Sequence, residues 1–266
     1  MSANKKEREA AAVAAPQEPL PVPAPGTGTL YIVPTPVGNL DDMTPRAVQT
    51  LSRVSLVLAE DTRTSAVLMR HFGITTPMAS HHKFNEHTAV AGVVDKLLAG
   101  QDIALVSDAG TPGISDPGFM LSRECRRAGI PVVTLPGATA FVPALVSSGL
   151  PCDRFAFEGF LPPKTGRASR LQRIAASDVT TVIYESPLRL QRTLAQLAEA
   201  CGEDREASVS REISKMHEET LRGTLGQLAQ YFSANQARGE IVVIVAPARS
   251  SAGPRVHINK YKKDSE

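Results

Sequence analysis

The sequence predicts an α/β protein built from two α/β domains. Short apolar runs of strand length alternate with segments whose apolar residues recur at the three- and four-residue spacing of a helix. This alternation continues through most of the 266 residues, and its content changes at residues 149–153. Strands that alternate with helices form mostly parallel sheets covered on both faces, so we expect such a sheet in the first domain.

The first half of the chain supplies four predicted strands and five predicted helices. The strands cover residues 29–33, 55–59, 103–106 and 131–135. The helices cover residues 45–54, 64–71, 90–98 and 119–128, and a fifth begins after residues 136–140. Thr44 and Pro45 have the residue types of an N-cap and a first helical position, and Gly100 is typical of a helix end.

The second half repeats the alternation with five strands and three helices. The strands cover residues 154–159, 179–184, 207–211, 218–222 and 240–246. The helices cover residues 164–176, 186–202 and 224–232. We therefore predict an Ala- and Pro-rich tail at residues 1–28, domains at residues 29–150 and 154–247, and a basic tail at residues 248–266.

Composition restricts the function classes. The net charge is only +2, so bulk charge does not predict nucleic-acid binding. Tryptophan is absent and aromatic residues are 5% of the chain, so we do not expect bases to stack on an aromatic platform. Three cysteines without a Cys-x-x-Cys pair indicate a reduced, cytoplasmic protein without a disulfide framework. No apolar run has the length of a membrane span, and the N-terminal apolar stretch is too short for a signal peptide.

A glycine-rich loop follows the strand at residues 103–106. The segment 107–118 contains Asp108, three glycines and two prolines. Such a loop leaves backbone groups free and lets a ligand approach the main chain. Asp116 and Pro117 are predicted as the N-cap and first residue of the next helix. Ligand sites of α/β proteins lie at the carboxyl ends of strands, so we predict a binding site here.

Several common sequence motifs for nucleotide binding and covalent catalysis are absent. There is no Walker A motif, no Gly-x-Gly-x-x-Gly dinucleotide motif, and no nucleophile elbow. His81, His82, Glu86 and His87 lack the helical spacing of a zinc site, so we predict no metal and interpret them as a surface loop near the cleft.

A row of basic residues in the second domain indicates a polyanionic partner. Lys164, Arg167, Arg170 and Arg173 occur with no acidic residue between them, and the arginines fall on one side of a helix. We predict contacts with RNA phosphates, and a solvated helix face is the alternative interpretation.

Seven segments together resemble a known family. They are residues 31–40 (YIVPTPVGNL), 59–63 (AEDTR), 107–118 (SDAGTPGISDPG), 136–138 (PGA), 158–162 (EGFLP), 184–187 (YESP) and 211–215 (REISK). In this order they resemble the ribosomal RNA small subunit methyltransferase I family, a branch of the tetrapyrrole-methylase superfamily. Ile213-Ser214 departs conservatively from the family's Leu-Thr, and the N-terminal extension lies outside its pattern.

The resemblance implies a homodimeric, S-adenosylmethionine-dependent enzyme whose cofactor binds between two α/β domains, the second with a mixed sheet. It implies 2′-O-methylation of a cytidine, position 1402 in standard numbering, in 16S rRNA of the small ribosomal subunit. The implied cofactor residues are Val37, Asp108, Ala109, Gly110, Thr111, Ile114, Ser115, Thr139, Ala140, Tyr184, Gly239, Glu240 and Ile241. The donor carries a sulfonium and an ammonium but no phosphate, which suits an acidic side chain such as Asp108.

A ribose hydroxyl needs a positioned base or cation to become a nucleophile. The first candidate is Lys215 with Glu212, and the second is Asp61 with Arg63; in both cases a purely structural ion pair is the alternative. Two other functions remain open, namely a tetrapyrrole methyltransferase of the same superfamily and a non-catalytic ribosome-assembly factor.

Overall fold

The computed structural model describes residues 25–82 and 86–248, which form two five-stranded sheets with helices between the strands. The elements of the first half are β1 Leu30–Ile32, α1 Pro45–Arg53, β2 Leu56–Ala59, α2 Thr62–His71, β3 Met78–Ser80, α3 Glu86–Leu98, β4 Ile103–Val106, α4 Phe119–Arg127, β5 Val132–Thr134 and α5 Phe141–Ser148. Those of the second half are β6 Phe155–Phe160, α6 Arg167–Ala176, β7 Thr180–Glu185, α7 Leu190–Cys201, β8 Glu206–Arg211, β9 Glu219–Thr224, α8 Leu225–Ala234 and β10 Ile241–Val245. The predicted α/β class is confirmed.

The first sheet is parallel throughout, in the order β3-β2-β4-β1-β5. Its central strand β4 is buried along its whole length, as expected for an unbroken apolar run covered on both faces. The helices α1 and α2 pack on one face around Leu51 and Met69. The helices α3 and α4 pack on the other face around Leu97 and Leu121.

The second sheet is mixed, in the order β6-β7-β10-β8-β9, with β6 and β7 parallel and the other pairs antiparallel. One face is covered by α6, α7 and α8. The other face receives α5 through Ala144 and Leu145, together with Val37 of the first half. The helix α5 of the first half therefore packs on the second sheet, and it ends at Gly149, whose φ of 75° is suited to a helix C-terminus.

Local signals account for most helix ends. The side chain of Thr44 accepts the backbone N–H of Ala47, as predicted, and Thr224 forms a capping box with Gln227 at the start of α8. The three-residue strand β3 and a 3₁₀ turn at Leu40–Asp42 were not predicted. Both are too short for a periodic pattern to show them.

No helix within the described ranges is both long and apolar enough to cross a membrane. The predicted tails lie mostly outside those ranges, at residues 1–24 and 249–266.

Candidate active site in the cleft between the two sheets

Three loops at the carboxyl ends of parallel strands are joined into one platform. Thr35, after β1, and Gly110, after β4, exchange two backbone hydrogen bonds of 2.9 Å. The hydroxyl of Thr111 donates to the carbonyl of Ala138, after β5, at 3.0 Å. The platform is therefore fixed by hydrogen bonds before any ligand arrives.

The loop from Asp108 to Gly118 needs glycine where it approaches other parts of the protein. Gly118 has φ of 133°, and a Cβ there would lie 2.8 Å from Cδ2 of Leu105. Ser115 holds a positive φ of 68°, which is unusual for a residue with a side chain. A Cβ on Gly159 of β6 would lie 3.1 Å from the Ser115 hydroxyl, so this loop reaches the second sheet.

The platform and the second sheet enclose a cavity of about 460 Å³, here called the cleft. Its size is that of a small-molecule site. All of the predicted cofactor residues line it, namely Val37, Asp108, Ala109, Gly110, Thr111, Ile114, Ser115, Thr139, Ala140, Tyr184, Gly239, Glu240 and Ile241. Their contact with a cofactor stays a prediction. Lining residues that the sequence reasoning missed are Glu60, Asp116, Phe160, Glu185, Ser186, Pro187, Ile213 and Val242.

The cleft is acidic. Glu60, Asp108, Asp116 and Glu240 line it, whereas no Lys, Arg or His among the described residues does so. Burial raises the pKa of Glu60, and the negative charge of Asp108 raises it further. Burial, followed by the charges of Glu60 and Asp108, raises the pKa of Asp116 to about 7. Burial is the main cause of these shifts and the neighbouring negative charges add to it, so a cation bound among the carboxylates would lower both pKa values.

One wall of the cleft is aromatic. The ring of Tyr184 lies edge-on to Phe160, with 5.6 Å between centroids, and to Phe157 at 5.1 Å. Burial raises the pKa of Tyr184 to about 12, so its hydroxyl stays protonated at neutral pH. This wall is suited to a planar ring of a ligand.

Asp116 was missed because the sequence assigned it to a helix cap, and this assignment is wrong. The helix α4 begins at Phe119 with Gly118 as N-cap and no side-chain cap. Glu86 of α3 takes that role instead, since its Oε1 accepts the backbone N–H groups of Gly118 at 3.1 Å and Met120 at 3.3 Å. Asp116 is thereby left to line the cleft.

Lys215 and Glu212 lie where the two halves of the chain meet. Nζ of Lys215 donates to Glu212 at 3.0 Å and to Glu240 at 3.2 Å. Burial disfavours the charged ammonium, but these two carboxylates outweigh it and raise the pKa of Lys215. A Cβ on Gly38 of the first half would lie 2.3 Å from Cγ of Lys215, so the lysine stem packs against that loop. A charged lysine therefore lies beside the cleft, bound to its lining residue Glu240.

Asp61 and Arg63 bind each other in the ion pair that the sequence left as the alternative, and a catalytic role for either residue stays a prediction. The Asp61 carboxylate caps α2 by accepting the Arg63 N–H at 2.8 Å, and it also binds the Arg63 guanidinium at 2.6 Å. The hydrogen bonds from the Arg63 side chain lower the pKa of Asp61 to about 2. A carboxylate of that pKa is a poor proton acceptor at neutral pH. Its own backbone N–H donates to Asp108 at 3.2 Å, which joins the pair to the cleft.

The basic row on α6 is not unopposed, contrary to the prediction. Arg167 is 6% exposed and donates to Thr193 and Gln196 at 2.7 Å and to the carbonyl of Pro162 at 3.2 Å. It is therefore an interior residue of the second half and is not available to RNA. Glu158 of β6, which a sequence pattern cannot place beside α6, binds Arg170 and, at 3.6 Å, Arg173.

The interpretation of the histidine segment as a surface loop is also wrong for His81 and for Glu86, which is 9% exposed at the start of α3. His81 is completely buried and lies 4.0 Å from Glu86. Burial lowers the pKa of His81, which keeps the ring neutral. Within the described part of the chain, no three acidic, histidine or cysteine side chains are grouped as metal ligands.

Sequence comparison relates the chain to one family and to proteins that share one name. The profile of the family described as Tetrapyrrole (Corrin/Porphyrin) Methylases matches residues 29–229. A "Ribosomal RNA small subunit methyltransferase I" of Synechocystis sp. is 50% identical over 226 residues, which are 85% of this chain and 81% of that protein. A protein of the same name from Pseudomonas aeruginosa is 48% identical over 228 residues, with the same coverage.

Solved structures show the same fold at low sequence identity. A cobalt precorrin-4 methyltransferase aligns with a TM-score of 0.63 and 18% identity over 82% of this chain and 94% of that one. The methyltransferase CobJ aligns with a TM-score of 0.63 and 21% identity over 84% of this chain and 95% of that one.

Proposed function

Because the chain belongs to the ribosomal RNA small subunit methyltransferase I family of the tetrapyrrole methylases, which use S-adenosylmethionine, we propose that it methylates the 2′-hydroxyl of a cytidine in small-subunit rRNA. The predicted nucleotide is the decoding-centre cytidine of 16S rRNA. The observation that carries the proposal is the acidic cleft between the sheets, which suits a cationic methyl donor and would repel a nucleotide phosphate.

The residues of the cleft fit S-adenosylmethionine. Its ammonium and sulfonium would lie near Asp108, Asp116 and Glu60, three carboxyl groups that line the cleft together. Its carboxylate would find backbone N–H groups of the platform loops, and its adenine would lie at the Tyr184 wall. When bound, the cofactor supplies an electrophilic methyl group.

In the transfer, the protein itself aligns the donor with the hydroxyl, excludes water and accepts the proton of that hydroxyl. We assign Asp116 as the group that accepts the proton of the hydroxyl, because its carboxyl lies in the cleft near Asp108 and Glu60 and is held in its charged form at neutral pH by the bound cationic donor. Lys215 is held charged by Glu212 and Glu240, so we assign it to orientation of the acceptor and stabilisation of the developing oxyanion. Glu212 positions Lys215.

We propose that RNA phosphates contact the exposed Lys164 and the outer parts of Arg170 and Arg173, since Arg167 is buried. We also propose that the enzyme works as a homodimer in the cytoplasm, as expected from the family. Light scattering of the purified protein in solution tests the dimer, and a monomeric mass at assay concentrations would contradict it.

The experiment that tests the function uses labelled S-adenosylmethionine with assembled small subunits, free 16S rRNA and a precorrin-type tetrapyrrole in parallel. We expect label in the subunits, and nucleoside analysis should identify 2′-O-methylcytidine. Label only in the tetrapyrrole would support a small-molecule methyltransferase. Tight donor binding without label in any acceptor would support a non-catalytic assembly factor. Either result contradicts the proposal.

A further inference from the structure

A second cavity, of about 530 Å³, lies beside the cleft on the other side of the loop that follows β1. Along this loop Val37 lines the cleft, whereas Pro36 and Gly38 line the second cavity. Asp108 borders both cavities. A single loop therefore separates the two spaces, and a group held in the second cavity can meet the contents of the cleft at Asp108.

The second cavity differs from the cleft in its chemistry. Its walls are the side chains of Pro36, Leu40, Val67 and Leu68. Four residues with hydroxyl groups also line it, namely Thr35, Ser107, Thr64 and Ser65. The hydroxyls of Thr35 and Ser107 donate to backbone carbonyls, whereas Thr64 is exposed and can meet a ligand. Apolar surfaces with a few hydroxyls bind the faces and polar edge of an unstacked base.

Arg63 supplies a cation that the cleft lacks. Its side chain is 90% exposed at the edge of the second cavity. Nε and Nη2 are held by the Asp61 carboxylate at 2.6–3.2 Å. No hydrogen bond from Nη1 to any described residue is present, so this nitrogen can bind an anion while Asp61 fixes the plane of the guanidinium. A guanidinium fixed in this way is suited to a phosphate oxygen.

We propose that the second cavity receives the unstacked pyrimidine of the nucleotide to be methylated, and that Arg63 binds a phosphate next to it. The ribose hydroxyl then lies at Asp108, between the base in one cavity and the methyl donor in the other. This inference rests on the proposed function, because it places the acceptor nucleotide of that reaction. It also assigns a role to the Asp61–Arg63 pair, whose geometry is unsuited to acid–base catalysis.

The first test fills the second cavity without altering the cleft. Val67 is 61% exposed and lines only the second cavity, so Val67→Trp should occupy it at little cost to the core. We expect kcat/KM for assembled small subunits to fall about a hundredfold, because displacement of the acceptor by an ångström has that effect. Affinity for S-adenosylmethionine should change less than about twofold. Leu98→Trp is the matched control, since Leu98 is 46% exposed on α3 and lines neither cavity.

The second test removes the anion-binding group. Arg63→Gln should raise KM for small subunits about tenfold with a smaller effect on kcat, as expected for loss of one charge-assisted hydrogen bond in the bound state. Arg63→Lys should recover part of this loss, because a lysine keeps the charge but not the fixed plane. A fall in kcat with unchanged KM would instead place Arg63 in the chemical step and contradict its phosphate role.

The outcomes separate this inference from the proposed function. If the unsubstituted enzyme does not methylate small subunits, the proposed function fails. If it does, and folded Val67→Trp is as active as Leu98→Trp, the second cavity does not hold the nucleotide. Should Val67→Trp not fold, Thr64→Trp fills the same cavity from the exposed first turn of α2 and decides the question.

Discussion

Replacement of Arg167 by alanine distinguishes the interior role seen in the structure from the RNA contact that the sequence suggested. The guanidinium donates to the Thr193 hydroxyl, the Gln196 side chain and the Pro162 carbonyl. Thr193 in turn donates to the buried Glu185 at 2.6 Å. Burial lowers the pKa of Arg167, but a guanidinium remains charged at neutral pH. Its removal would leave the Thr193 hydroxyl oxygen, the Gln196 side-chain oxygen and the Pro162 carbonyl without the donor that each now has.

The expected loss of stability follows from these contacts. A hydrogen bond to a charged group contributes about 1.5–3 kcal/mol, and contributions within one network do not add fully. We therefore expect Arg167→Ala to lower the free energy of unfolding by about 3 kcal/mol, the lower end of values for breaking a buried charged contact. For a protein of this size that corresponds to a fall in Tm of about 6–12 °C.

The assay is thermal unfolding together with RNA binding, with Arg173→Ala as the matched control. Arg173 lies on the same helix, is 64% exposed and has one contact of 3.6 Å with Glu158. Its replacement should change Tm by about 1 °C or less, because exposed ion pairs stabilise little. Well below its Tm, Arg167→Ala should bind small subunits as the unsubstituted protein does, whereas Arg173→Ala should bind them more weakly. An unchanged Tm with weakened RNA binding for Arg167→Ala would refute this reasoning.

Three further predictions concern the cleft and its supports. Lys215→Ala should abolish methylation of small subunits with little change in donor affinity, and unchanged turnover would exclude Lys215 from the mechanism. Donor affinity should rise about tenfold from pH 6 to pH 8. The carboxyl of Asp116, with a pKa of about 7, is neutral below that value and charged above it, and a cationic donor binds the charged form more tightly. Calorimetry across this pH range should show a weaker pH dependence of donor affinity for Asp116→Asn. Glu86→Ala should lower the unfolding free energy by about 1–2 kcal/mol through loss of the α4 cap, whereas Glu86→Gln, which keeps the carbonyl acceptor, should lose less in a denaturant titration.

The sequence predicts the fold well where one local signal decides an element. The unbroken apolar run of β4 and the capping residues Thr44 and Thr224 each specify their element without help from the rest of the chain. Strand β3 was missed because three residues cannot display a period, and its place beside β2 is set by pairing within the sheet. The cap of α4 was misassigned to Asp116 because the acceptor of its first N–H groups comes from Glu86, about thirty residues earlier in the chain.

The sequence predicted the place of the site better than the character of its residues. The thirteen cofactor residues came from the family resemblance and all line one cleft, but Glu60 and Asp116 acquire their character from each other and from Asp108. The contact of Glu158 with Arg170 likewise joins a strand to the following helix across the intervening loop. A charge pattern along one segment cannot show a partner that another segment supplies, so the basic row appeared unopposed.

The charged residues around the β1 loop are distributed in a way that suits two ligands of opposite charge. The methyl donor is a cation at its reacting centre, and the acceptor is part of a polyanion, so a single site of either sign would attract one and repel the other. Here the carboxylates face the cleft, while Arg63 lies at the edge of the second cavity with its own counter-ion Asp61. Lys215 packs against Gly38 of the loop between the two spaces. With the acceptor placed as proposed, a shift of this loop disturbs donor and acceptor together, which predicts that changes at Gly38 reduce turnover more than they reduce the affinity for either ligand alone.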